Sequence, residues 1–222
     1  MHFNHQPENL TISVDAKITL RNLQEKLEKS KQFLPVGPFE NDVTLKEIID
    51  HNLLGPHAIE HGILKHWVLG LTAYVNCKNV KFGSQVMKNV AGYDMTKLFI
   101  GTQGNLGGVK QVIFKVLPNQ FRVDHAPCTI LNGSRIVLKL SQIDNFIKDI
   151  KKVAGTYFRY EGLGVLDTNV DNTTLNIKAQ IFGGIYLKLV NGIPMAEKSK
   201  HPQLSENIRR IFNNRILKIN DE

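Results

Sequence analysis

Val86-Met-Lys-Asn-Val-Ala-Gly-Tyr-Asp94 and, after two further residues, Lys97-Leu-Phe-Ile-Gly-Thr-Gln-Gly-Asn-Leu-Gly107 form the stretch whose reading decides the fold. Gly92, Gly101, Gly104, Gly107 and Gly108 fall within 17 residues. Glycine at that density serves a backbone that turns sharply or passes close to something. Turns use glycine everywhere. Beside Asn, Tyr and Lys donors, however, such a loop suits a planar, polar-edged cofactor or a phosphate.

Outward from this stretch, residues 95–100 read as a short helix and 109–117 as a strand that Pro118 closes. Pro118 is placed as a domain boundary, dividing residues 1–118 from 119–222. Upstream, residues 67–75 read as a strand, 76–79 as a turn and 80–82 as its return. Residues 10–14 alternate apolar and polar, as a half-buried strand does. Thr19 is placed to cap a helix with Leu20, Leu23 and Leu27 on one face, ending near Lys31. Residues 33–38 are extended and pinned by proline. Thr44 and Glu47 have capping-box spacing, with Val43 and Ile48 spaced as a hydrophobic staple. That helix is expected to run through Ile49 and Leu53 to Gly55 as its C-terminal glycine.

The second unit opens with a strand at 135–140, then a helix capped by Ser141 with Ile143, Phe146, Ile147, Ile150 and Val153 on one face, stopped at Gly155. Residues 157–160, 174–181 and 185–189 read as further strands and 204–215 as a last helix. The expected class is α+β, the second unit a small antiparallel sheet with helices on one face.

Composition narrows the classes. The chain has 222 residues, 42% hydrophobic and 22% charged. No apolar run reaches the ~18 residues of a membrane span. A disordered chain, an integral membrane protein and a disulfide-framed miniprotein are excluded. The N-terminus lacks a signal-peptide pattern, and Cys77 and Cys128 stand far apart, so a reducing, cytoplasmic location is expected. The net charge of +8 is carried by scattered lysines with no run of five basic residues, so a solvated surface and no nucleic-acid partner are expected.

Lys88-Asn-Val-Ala-Gly-Tyr-Asp94 with residues 98–106 resembles the flavin-contacting segment of the FAD-binding (PCMH-type) family that contains vanillyl-alcohol oxidase and p-cresol methylhydroxylase. Within it, Gln32-Phe-Leu-Pro-Val-Gly-Pro38, Val43-Thr-Leu45 with Leu54-Gly-Pro56, Phe82-Gly-Ser-Gln-Val-Met-Lys-Asn89 and residues 128–140 resemble the small FAD-binding E subunit of bacterial glycolate oxidase. The resemblance covers most of residues 8–155, with a weaker echo at Ile208-Arg-Arg-Ile-Phe212. It implies an FAD-binding domain followed by a small α/β cap-like domain. It also implies a larger FAD-containing glycolate oxidase subunit and an iron–sulfur subunit as partners, and through them a peripheral position at the inner membrane. In such a complex a 2-hydroxy acid gives a hydride to flavin, which carries the hard chemistry. The cofactor-binding positions carried over are Thr44, Leu54, Gly55, Lys88, Asn89, Gly92, Tyr93, Gln103, Gly104, Asn105, Leu106, Gly107 and Val109. No catalytic residue is assigned.

Two departures bear on the flavin. Family members open with a strand–helix–strand unit whose glycine loop cradles the pyrophosphate, whereas this chain starts at Met1 where that unit would end. The domain is therefore expected to be N-terminally truncated. The family's second phosphate turn, Thr-Leu-Gly-Gly, reads Thr44-Leu-Lys-Glu47 here. A bare glycine turn leaves helix amides open to an anion, while Glu47 folds back and supplies that charge itself. Losing three or four hydrogen bonds to a pyrophosphate at about 1.5–3 kcal/mol each removes roughly 5–10 kcal/mol. That is about three orders of magnitude in affinity or more. FAD binding is thus expected to be weak or lost, and the chain inactive alone. A non-catalytic structural subunit that binds no flavin is the alternative.

The remaining residues carry less. His57, His61 and His66 lack a fixed third ligand, and Gly55-Pro56 and Gly62 argue against a helix there, so no metal is expected. Cys77 and Cys128 have no partner of nucleophilic type. Tyr93 and Asp94 read equally as a flavin-edge pair or as a packed ring and a helix cap, and Lys88 as facing flavin or another anion.

Overall fold

The computed structural model describes residues 2–83, 95–126 and 130–195. Lys88, Asn89, Gly92, Tyr93, Asp94, Cys128 and the 204–215 segment lie outside the described residues. The α+β expectation holds: two five-stranded antiparallel sheets are each covered by helices.

The first sheet is built from β1 (Phe3–Gln6), β2 (Thr11–Asp15), β4 (Val68–Val75), β5 (Lys78–Gly83) and β6 (Gly108–Lys115), in the order β1-β2-β6-β4-β5. Ile12 and Val14 pair with Phe114 and Val112, and Leu71 with Val112, so one face is uniformly apolar and fully buried. Asn76 and Cys77 both take positive φ (46° and 62°), the two-residue turn that joins β4 to β5. Helices α1 (Leu20–Glu28) and α2 (Leu45–His51) lay Leu23, Leu27, Leu45, Ile48 and Ile49 on that core. Thr19 caps α1 as its position predicts, accepting from Asn22 N. Short strands β3 (Gln32–Phe33) and β7 (Leu117–Pro118) pair with each other.

α2 ends earlier than its apolar pattern suggests. Asn52, at φ 48°, takes the left-handed capping position expected of Gly55. Gly55 serves close packing instead: a Cβ there would sit 2.4 Å from the Gly37 Cα. A one-turn helix, α3 (Ala58–His61), forms where Gly55-Pro56 and Gly62 argued against one. Gly55 and Pro56 lie before its first residue and supply carbonyls to Ala58 N and Ile59 N, and Gly62 (φ 83°) ends it. They punctuate the turn rather than break it, and a further one-turn helix, α4 (Thr96–Phe99), precedes the glycine loop.

The second sheet comprises β8 (Gly133–Val137), β9 (Tyr157–Tyr160), β10 (Val165–Thr168), β11 (Ile185–Val190) and β12 (Ile193–Met195), in the order β12-β11-β8-β10-β9. On one face Ile136 and Leu166 pack under α5 (Ile143–Ile150) and α6 (Thr173–Ile181). The opposite face, with Arg135, Val137, Val165, Asp167 and Leu187 at alternate positions, turns toward the first unit. Residues 174–181, read as a strand from their alternation, are helical. Asn172 Oδ1 accepts from Leu175 N at 2.8 Å, and only Leu175 and Ala179, four apart, are buried. A strong N-cap and one i,i+4 pair outweigh the two-residue period. Ser141 does not cap α5; it lies in a 3₁₀ turn that leads into the helix through Gln142.

Candidate functional site

Among the described residues, Thr44 stands at one end of α2 and Gln103 at the other, the two ends about 10 Å apart at 1.5 Å per residue. At its C-terminal end, Gly101 N donates to Ile49 O at 2.8 Å and Gln103 N to Asp50 O at 2.9 Å. The glycine loop thereby takes up carbonyls that the last turn leaves open. Gly101, Gln103 and Gly104 have φ of 84°, 53° and 75°, which explains the glycines on either side of Gln103. Asn105 N closes on Thr102 O, and Gly107 N on Gly104 O. Gln103 and Asn105 are exposed, Leu106 packs on the first core, and Val109 is buried beside Ala73 in the β4–β6 ladder. A Cβ at Gly104 would meet nothing within 4 Å, whereas one at Gly107 (φ 146°) would lie 2.6 Å from Val75 Cγ2 and 2.7 Å from Tyr74 O.

At the N-terminal end the capping box forms as the spacing predicts. Glu47 Oε2 accepts from Thr44 N at 2.8 Å, and Thr44 Oγ1 accepts from Glu47 N at 3.2 Å. These bonds to Thr44 hold the Glu47 carboxyl below the usual carboxylate range. Leu45 N donates to Ile18 O at 3.0 Å and Lys46 N to Ala16 O at 2.8 Å. Every amide from Thr44 to Glu47 is therefore engaged. The Lys46 ammonium pairs with Asp50 one turn along the helix.

Between the two units lies an open cleft of about 290 Å³. His51, Asn52, Leu54, Ile63, Gly101 and Gln103 form one wall; Val137, Val165, Leu187 and Pro194, with Arg135, form the other. Of the predicted residues, Leu54 and Gln103 meet here, while Thr44 sits at the far end of α2 and Gly55 against Gly37. His51 Nδ1 is buried without a hydrogen-bond partner among the described residues.

Sequence reasoning missed the polar group beneath the cleft. Arg135 Nε and Nη2 donate to the two carboxylate oxygens of Asp167, each at 2.7 Å, and both side chains are buried. The Tyr160 hydroxyl lies 3.1 Å from Asp167 Oδ2 and 3.2 Å from Leu54 O, tying the second sheet to the segment after α2. The available signal was a charge inside each apolar strand, Arg135 before Ile136 and Asp167 after Leu166, because inward charges come in pairs.

A histidine cluster flanks α3. The His57 and His125 rings are centred 5.5 Å apart, His57 and His61 6.0 Å, and His125 Nε2 is 2.8 Å from Glu60 Oε2. Burial pushes His57 down to about 4, helped by the neighbouring His125, His61 and Arg122. Among the described residues no group of three or more His, Cys, Asp or Glu is arranged to hold a metal ion. Nor is any helix there long and apolar enough to cross a membrane.

No protein-family model matches the chain. It is similar to glycolate oxidase subunit GlcE of Escherichia coli, with 34% identity over 118 residues, 52% of this chain and 34% of that protein. It is also similar to glycolate oxidase subunit GlcD of Bacillus subtilis, with 32% identity over 113 residues, 50% and 24% of the two chains. A D-lactate dehydrogenase of Anaerostipes hadrus is 28% identical over 115 residues, 51% and 24%. The chain thus matches only about a quarter to a third of the length of these relatives. The resemblance to the E subunit of glycolate oxidase, read from the glycine loop, stands on this half of the chain.

Proposed function

We propose that this chain is an FAD-binding-type subunit of a complex that oxidises a 2-hydroxy acid such as glycolate, with its own hold on flavin weakened or lost. The observation that carries the reading is the start of α2: Thr44, Leu45, Lys46 and Glu47 have no open amide, and Glu47 already supplies the anion. The residues present there do not fit a pyrophosphate. The cleft, at about 290 Å³, lies at the lower edge of the ~300–1,000 Å³ that hold drug-sized ligands. Its volume suits one ring system better than a dinucleotide. The relatives' names support the hydroxy-acid class.

In this reading, residues 1–118 form the flavin-type domain and 119–222 the cap-like unit, and Leu54, Gln103 and Gly104, with Lys88, Asn89, Gly92 and Tyr93, face what remains of the flavin site. Hydroxy-acid chemistry resides on a larger FAD-containing subunit, electrons leave through an iron–sulfur subunit, and the assembly works on the cytoplasmic side of the inner membrane. Purification of the chain alone and with its neighbours, followed by flavin titration, tests this. The expected result is a colourless isolated protein that binds FAD at least about a thousandfold more weakly than an intact site would. Stoichiometric yellow protein from the isolated chain would overturn it. The same closed helix favours a second reading, a structural subunit that never binds flavin. A Gln103→Trp substitution separates the two, because this exposed side chain lines the cleft: flavin uptake that it abolishes supports the first, and no uptake even within the complex supports the second.

A further inference from the structure

The cleft between the two units is lined for a ring and not for a charge. Leu54 and Ile63 on one wall stand opposite Val137, Val165 and Leu187 on the other, so a flat aromatic group entering it buries both faces against apolar side chains. The Asn52 and Gln103 amides line the same space and, among the described residues, take part in no side-chain hydrogen bond. A primary amide offers a carbonyl acceptor and N–H donors side by side. It is matched by a heterocycle whose edge presents adjacent donor and acceptor groups, as a pyrimidinedione ring does. Among the described residues Arg135 is the one lysine or arginine in the lining. Its guanidinium is engaged by Asp167, Nε and Nη2 each 2.7 Å from a carboxylate oxygen, so the pair adds no net charge to the wall. An anion entering there would lose its water without gaining a fixed cation. Nor is a phosphate received at the start of α2, about 10 Å from its other end, because every amide from Thr44 to Glu47 is engaged.

We infer that the cleft takes an uncharged, planar heteroaromatic ring with a donor–acceptor edge, and that this chain does not distinguish riboflavin from FMN or FAD. The inference rests on the flavin-type reading above and narrows it to the part of the cofactor that is recognised. Ring burial and the amide edge are common to all three compounds, whereas the phosphates and the adenosine reach only water. Gln103 selects the edge, and the half-buried Leu187 sets the width of the opposite wall. A carboxylate substrate is disfavoured in the same cleft for the same reason as a phosphate, in keeping with hydroxy-acid chemistry on another subunit.

Titration of the full chain into a fixed trace of riboflavin, FMN or FAD, read by flavin fluorescence anisotropy, tests this. The three dissociation constants should agree within about threefold, and added NaCl should change each by less than about twofold, because no charge on the ligand is recognised. Excess adenosine diphosphate should not displace riboflavin. Gln103→Ala should weaken all three by about fivefold, the worth of one neutral hydrogen bond. Leu187→Trp, which fills the cleft from the opposite wall, should weaken all three by about tenfold or more. Gln103 is exposed, so its substitution reports on the site whatever Leu187→Trp does to the second sheet. FAD bound about tenfold or more tighter than riboflavin, displacement by adenosine diphosphate, or binding that Gln103→Ala leaves untouched would overturn the inference. So would a failure to bind any of the three, which leaves the proposed subunit standing in its structural form; stoichiometric FAD on the isolated chain would instead overturn the proposed function itself.

Discussion

Replacing Arg135 by Met removes one half of a buried ion pair and keeps much of its volume. Asp167 then loses two charge-assisted bonds of 2.7 Å, and with its side chain 2% exposed it cannot turn to water. Deleting one partner of a buried pair leaves the other charge uncompensated, which costs roughly 3–5 kcal/mol. Arg135→Met should therefore lower unfolding free energy by about 4 kcal/mol. Arg135→Met combined with Asp167→Leu leaves no orphan charge and should return to within about 1 kcal/mol of the native chain. Urea titrations of the native, two single and double variants, treated as a double-mutant cycle, measure each quantity. A double variant as unstable as Arg135→Met would refute the account of the pair.

Three further outcomes are expected. Glu47→Ala should lower the thermal midpoint by an amount equivalent to about 1 kcal/mol in a melting experiment, and a flavin titration should show no gain in FAD affinity, because Ile18 and Ala16 still hold the next two amides. His57 carries a folded-state value of about 4 against 6.5 unfolded, so the unfolded chain binds the extra proton between those values; stability should be full above pH 6.5 and fall toward pH 4 by on the order of 3 kcal/mol, and His57→Phe should flatten that slope in pH-dependent denaturation. Gly107→Ala should destabilise by about 3 kcal/mol or more, since it drives a Cβ into Val75 and the Tyr74 carbonyl at φ 146°, whereas Gly108→Ala, with open space around it, should stay within about 1 kcal/mol, both read by chemical denaturation.

Local chemistry made much of the fold legible. The Thr44–Glu47 spacing, the Thr19 cap and the apolar runs of β2, β4 and β6 each act over a few residues, and the structure has them where the sequence puts them. The failures share a cause. Leu175, Ile177, Ala179 and Ile181 alternate like a strand, but Ile177 and Ile181 point to solvent, so the pattern did not report burial. Gly55 and Asn52 both suit a left-handed cap, and the packing of Gly37 against Gly55 settles which one serves. At the site, the glycine loop was visible because its φ values demand glycine. Its seat on Ile49 and Asp50 was not, since those carbonyls lie about a quarter of the chain away in sequence. Arg135, Asp167 and Tyr160 are brought together by strand order alone, which no short window encodes.

The carboxylate that Glu47 folds back onto Thr44 also bears on supply. A domain whose helix waits for a bound anion is stabilised in proportion to the logarithm of that ligand's concentration, and starves when the ligand is scarce. Here the counter-charge is encoded in the polypeptide and present at fixed stoichiometry from the moment of synthesis. At that helix, stability thus needs no dissolved anion.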